Sequence, residues 1–169
     1  MIICAAARLH DHRVYSTAPH EPLGRCHLNG YKRSLEKNGL EYDEKLIIRL
    51  KPGKRIYTIE NGYNCTCELL KSGVDFSCIY AISDTLAVGA CRAIIDSGKR
   101  VPEDYCVAGA DGQDIAEYYH PSITTLKYPR VETALQSVRT LFDLIDRKKV
   151  VKRQILSGTL IERESTRKL

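Results

Sequence analysis

No stretch of about 18 consecutive apolar residues occurs in the sequence, which excludes a membrane-spanning helix. The opening MIICAAARLHDHR has no basic lead-in, and its apolar run is too short for a secretory signal, so a cytoplasmic location is expected. Enzyme signatures are missing too: there is no glycine-rich phosphate loop, nucleophile elbow or His-Glu-x-x-His. Paired carboxylates exist, but nothing fixes the separation that glycoside hydrolysis demands. Cys65 and Cys67 have no second pair at finger spacing, and zinc needs about four convergent ligands, so no metal or cofactor is expected. The seven cysteines are an odd number scattered over apolar segments, unlike a disulfide framework. Cys4, Cys78 and Cys106 fall in expected strands, where a thiol packs as a small hydrophobe.

What is present is the make-up of a globular domain: 169 residues, 43% of them apolar and 28% charged. The net charge of +5 hints only weakly at an acidic partner. The cluster Arg147, Lys148, Lys149, Lys152 and Arg153 surrounds an expected helix end, where cations suit the helix dipole. A solvated surface is the default reading of that cluster, with nucleic-acid contact the alternative.

Strand and helix patterns alternate along the chain. Residues 1–7 are a continuous apolar run, as in a strand buried on both faces. Residues 24–38 place Leu28, Tyr31 and Leu35 on one helical face, with Gly39 as the stop. A second strand spans 45–50. A second helix over 60–71 puts Tyr63, Cys67 and Leu70 on one side, ended by Gly73. A third strand follows at 76–82, then a helix opened by Asp84 as N-cap, carrying Ala87, Ala90, Cys91, Ile94 and Ile95, and closed by Gly98. Residues 105–110 make a fourth strand. This spacing predicts βαβ units, a parallel sheet and a doubly wound α/β lobe up to about residue 121.

Beyond that point the rhythm changes. Pro121 and Pro129 bracket a short extended piece at 122–128. The helix expected over 131–147 is the most amphipathic in the chain, with Val131, Ala134, Leu135, Val138, Leu141, Phe142 and Ile145 along one stripe. A last strand-like stretch covers 154–161. One helix and about two strands are too little to bury that stripe, so self-association through it is expected.

Ligands of open parallel sheets collect beyond the carboxyl ends of the strands. Four loops are expected there. Residues 8–25 carry His10, Asp11, His12, Arg13, Glu21 and Arg25 ahead of His27; residues 51–59 carry Tyr57; the others are Ser83-Asp84 and residues 111–114. Carboxylates accept paired hydrogen bonds from vicinal hydroxyls, and an aromatic face covers the C–H surface of a sugar ring. Each residue also has a plainer role open to it. Asp84 suits a helix cap, Asp111 an Asp-Gly turn, Tyr57 loop packing, and His27 a surface position.

Three stretches together resemble the LacI/GalR family of transcription regulators. Residues 82–129 carry a Ser-Asp-x-x-Ala-x-Gly opening, a Gly-x-x-Val-Pro-x-Asp turn, a Val-x-Gly-x-Asp strand end and a Pro-x-x-Thr-Thr crossover, in order. HLNGYKRSLEKNGL at 27–40 is similar to the family's Arg-x-x-Gly-aromatic helix, and TLIERESTRK at 159–168 to its closing Leu-Ile-x-Arg-x-Ser motif. The resemblance implies a periplasmic-binding-protein-like sensor. Residues 1–121 would form its C-terminal lobe, and residues 122–169 a crossover segment of an otherwise absent N-terminal lobe. The family's helix-turn-helix, through which it binds DNA, would likewise be missing.

By the same resemblance Asp111 stands at the ligand-binding carboxylate, Tyr57 at an aromatic platform, Ser83 at a polar contact and Tyr128 at a crossover position facing the cleft. His27 replaces an effector-binding arginine, for which Arg25 is a candidate substitute, and Leu23 replaces a commonly polar residue. Val88 and Tyr119 match subunit-interface positions, so a homodimer is implied, although helix core and loop anchor are their plainer readings. The function implied is sensing of a small-molecule effector, a sugar, within a transcription regulator. A sugar-binding protein of a transport system is the alternative, and an enzyme ranks far behind.

Overall fold

The computed structural model describes residues 2–6, 22–50 and 56–167, with backbone alone for 2–6 and 22–26. Arg25 therefore lies in a helix but its side chain is outside the described atoms. Residues 8–21, with His10, Asp11, His12, Arg13 and Glu21, and residues 51–55 also lie outside the described part.

Among the described residues, six strands form one sheet: β1 (Ile2–Ala6), β2 (Ile47–Arg49), β3 (Cys78–Ala81), β4 (Cys106–Asp111), β5 (Thr124–Lys127) and β6 (Thr159–Ile161), in the order β2-β1-β3-β4-β5-β6. Five α-helices accompany them among the described residues: α1 (Pro22–Lys37), α2 (Ile59–Lys71), α3 (Asp84–Asp96), α4 (Asp114–Tyr118) and α5 (Arg130–Ile145). None is long and apolar enough to cross a membrane.

Helices cover both sides of the sheet, as doubly wound topology requires. In the parallel register of β3 and β4, Ile79 stands beside Val107 and Tyr80 beside Ala108. Side chains alternate along a strand. A Cβ on Gly109 would meet Asp84 and Ala87, so Gly109, Val107 and Ile79 face α3. Tyr80 points the other way, where its ring meets that of His27 on α1, centroids 6.4 Å apart. Tyr31 and Leu35 of α1, Leu69 of α2, and Leu86, Ala90 and Ile94 of α3 are buried with Ile79 and Val107 in one core.

The helix ends follow local chemistry. Gly39 at φ +67 closes α1, with its own N–H on the Glu36 carbonyl and that of Leu40 on Leu35, a Schellman stop open to a residue without Cβ strain. Thr58 caps α2, its hydroxyl accepting from the Asn61 N–H at 3.1 Å. The cap of α3 is Ser83 and not Asp84: Ser83 is extended and its hydroxyl accepts from the Leu86 N–H at 3.4 Å, leaving Asp84 as the first helical residue.

Two other expectations need correction. First, β1 runs antiparallel to both β2 and β3, with Ala6 opposite Cys78. The parallel arrangement holds for β2, β3, β4 and β5, which share one direction, while β1 and β6 oppose it. The run IICAA has no polar face, so alternation does not specify its direction. The chain consequently leaves β1 at the amino edge of β3, and the loop after β1 does not start from the carboxyl rim. Second, α2 buries Gly62, Thr66 and Leu69 rather than the Tyr63 side. The cause is its crossing with α3. A Cβ on Gly62 would overlap the Leu86 carbonyl, and one on Gly89 the Ile59 carbonyl, so two glycines let the backbones touch.

No break in packing falls at 121/122. Ile123, Thr124, Thr125 and Ser165 are all buried. Ser165 takes the place of a strand residue beside β4: its carbonyl accepts from the Val107 N–H at 2.8 Å, and its hydroxyl donates to the Val107 carbonyl at 2.6 Å while accepting from the Thr124 N–H at 2.9 Å. Within the intervening segment, helix α5 stands apart. Helix α5 has no buried residue, and Val131, Leu135, Val138, Leu141, Phe142 and Ile145 are all exposed.

Candidate functional site

Three strands of shared direction end side by side at Ala81, Asp111 and Lys127. The residue after each end is where ligands of open α/β sheets are met, above all near the place where strand order reverses, here between β1 and β3. Asp111 closes β4 at φ 110, a left-handed conformation rare outside glycine. Its half-buried carboxylate accepts a hydrogen bond from the Gln113 amide at 3.0 Å. The Arg130 guanidinium donates to its carbonyl oxygen. Burial pushes the Asp111 carboxyl above the usual range, against the Gln113 hydrogen bond and the nearby charges of Arg130 and His27.

His27, in the first turns of α1, is half-buried against Tyr80. Burial lowers its pKa below the ordinary imidazole value, and the nearby Asp111 opposes that fall. The two side chains are thus near enough to feel each other's charge. Tyr128 follows Lys127, the residue paired with Asp111, and is half-buried against the core. The Tyr57 ring is 44% exposed just before α2. Its carbonyl accepts from the Thr85 hydroxyl at 3.2 Å, and Thr85 in turn shares a 3.0 Å hydrogen bond with Ser83, which ties the Tyr57 loop to the start of α3.

Ser83 and Val88 are placed differently from expectation. Ser83 is 2% exposed and its hydroxyl is engaged with Leu86 and Thr85, so it shapes the rim rather than presenting a free hydroxyl. Val88 is 4% exposed inside the core, which leaves no surface for a partner subunit. Tyr119 is half-buried and ends α4, with its N–H on the Ile115 carbonyl. Sequence reasoning placed Gln113 only as part of the 111–114 rim loop, and it missed Thr125 and Arg130. Thr125 lies in the Thr-Thr motif singled out above, but Arg130 carries no signal beyond its position next to Pro129.

Against known families, residues 6–166 match the periplasmic binding protein-like domain. The chain belongs to that family. The HTH-type transcriptional regulator MalR of Clostridium butyricum is 42% identical over 138 residues, which are 82% of this chain and 40% of that protein. A sugar-binding transcriptional regulator of the LacI family from Escherichia coli, solved with phosphate, superposes with TM-score 0.78 at 31% identity over 89% of this chain and 52% of that one. The transcriptional regulator CelR in complex with cellobiose gives TM-score 0.79 at 30% identity over 89% and 45%. The recognised resemblance to LacI-type regulators therefore holds. The chain spans about half the length of these solved relatives and less of MalR.

Proposed function

We propose that this chain is the effector-sensing part of a LacI-type transcription regulator and that its ligand is a sugar. The observation that carries the reading is the half-buried Asp111 carboxylate at the end of β4, with His27, Tyr57 and Tyr128 on neighbouring rim elements. Asp111 would accept paired hydroxyl hydrogen bonds, Tyr57 would cover an apolar ring face, and His27 and Tyr128 would donate or accept at the edges. The relatives support it: they are named as transcriptional regulators, one is solved with cellobiose, and none of those described above is a transport protein or an enzyme.

On this reading, residues 122–169 are the crossover segment of an N-terminal lobe whose remainder would cover the stripe of α5, and ligand closes the two lobes. DNA would be contacted through the helix-turn-helix of the complete regulator and not through the rim. A homodimer would form about the α3–α4 side, where Tyr118 is exposed beside Tyr119.

Calorimetric titration of the chain with maltose, cellobiose and ribose tests the proposal. Saturable heat from at least one sugar, lost in Asp111→Asn, is the expected result. Heat that is indifferent to Asp111→Asn contradicts the assignment of the site.

A further inference from the structure

Asp84 is fully buried, yet it carries a carboxylate. One oxygen accepts from the Thr125 hydroxyl at 2.6 Å, and the other from the backbone N–H of Gln113, also at 2.6 Å. The Thr125 oxygen in turn accepts from the Gly112 N–H at 3.2 Å. Four groups thus close a ring: Asp84 at the head of α3, Thr125 in β5, and two successive amides of the turn after β4. Gly109 makes room for it, since a Cβ there would overlap the Asp84 carboxylate.

The ring does more than satisfy a buried charge. The two amides it grips belong to the residues directly after Asp111, whose φ of 110 is a conformation that persists only where its surroundings over-determine it. A side chain on α3 and another on β5 together hold that backbone. Gln113, fixed through its N–H, returns its side-chain amide to the Asp111 carboxylate at 3.0 Å.

We infer that Asp84 is the positioning residue of the rim. Through Thr125 and the amides of Gly112 and Gln113 it clamps the turn that presents Asp111, without itself touching ligand. The clamp stands on geometry alone; its consequence for sugar affinity rests on the function proposed above. Because Thr125 lies in β5, three residues before Tyr128, displacement of β5 is felt at the Asp111 turn directly.

Amide hydrogen exchange on the full chain, read residue by residue, separates the two levels. In Asp84→Ala the Gln113 N–H and the Thr125 hydroxyl lose their acceptor, and exchange at Gly112 and Gln113 should rise about tenfold or more. Exchange within β4 and the unfolding midpoint of the β3–β4–β5 core should move far less. Thr125→Val should reproduce the local rise and Thr125→Ser, which keeps the hydroxyl, should restore slow exchange. This pair decides the matter if Asp84→Ala fails to fold. Unchanged exchange at Gly112 and Gln113 in Thr125→Val, or a rise equally large in Thr125→Ser, overturns the clamp. In parallel, maltose and cellobiose titrations should weaken in Thr125→Val and not in Thr125→Ser. Loss of the clamp by exchange with sugar binding intact would leave the positioning role standing and count against Asp111 as the ligand carboxylate.

Discussion

Asp84 and Thr125, 41 residues apart, share a 2.6 Å hydrogen bond that joins the start of α3 to β5 beneath the Asp111 turn. The bond ties the sheet's last parallel crossing to the turn that carries Asp111. Burial pushes the Asp84 carboxyl above the usual range, against the Thr125 and Gln113 hydrogen bonds. A carboxyl whose pKa is raised on folding binds more protons in the native state than in the unfolded chain just above its ordinary value of 3.8. Its contribution to stability is therefore complete below that value and lost as pH rises through the elevated folded value. Urea unfolding between pH 4 and neutrality should show this slope, and Asp84→Asn should flatten it.

His27 has the opposite sign. Its imidazole pKa is lowered by burial, so the unfolded chain takes up the proton first as pH falls below 6.5. Stability from this residue is present above that value and declines on acidification towards the folded value. Proton-detected titration of the His27 ring should give a midpoint below 6.5, and His27→Gln should remove the decline.

The helix crossing of α2 with α3 is a backbone contact. Gly89→Ala would drive a methyl group into the Ile59 carbonyl, with the Tyr63 backbone nitrogen 2.7 Å from the new carbon. Overpacking of this kind costs about 1–3 kcal/mol and more where only backbone can yield. The urea midpoint should fall accordingly, whereas Arg92→Ala, on an exposed position of α3, should change it little.

Ser165→Ala should be costly for so small a change. It removes the hydroxyl that joins Val107 to Thr124 and leaves a buried carbonyl and a buried N–H short of a partner. The expected loss is about 1–3 kcal/mol for each unsatisfied group. Chemical unfolding of the variant measures it.

The α5 stripe, with Val131 at 75% and Phe142 at 62% exposure, is too apolar to remain in water. Sedimentation at micromolar concentration should detect self-association of the chain, and Leu141→Lys should shift it towards monomer. A monomer with α5 ordered would contradict this expectation.

How much of this was legible beforehand depended on distance along the chain. Gly39, the stripe Tyr31–Leu35 and the apolar face of α5 are local signals, and each element they announce is present, with ends displaced by a residue or two. The direction of β1 was not legible, because IICAA offers no alternating face to choose between pairings. The buried side of α2 was misjudged because contact glycines carry no hydrophobic signal. Asp84 could be read only as a local cap or a rim contact. Its actual partners lie 29 and 41 residues away, and no periodicity announces such a contact. Arg130 escaped for the same reason: its target is the Asp111 carbonyl, 19 residues earlier.

The central claim, that a sugar is received at the rim around Asp111, is tested most directly by mapping amide shifts of the isotope-labelled chain during titration with maltose, cellobiose and ribose. Shifts that cluster at Tyr57, Asp111–Gln113 and Tyr128 and vanish in Asp111→Asn are predicted. Shifts confined to surfaces away from the carboxyl ends of β3, β4 and β5, or no saturable shifts with any of the three sugars, would contradict the account.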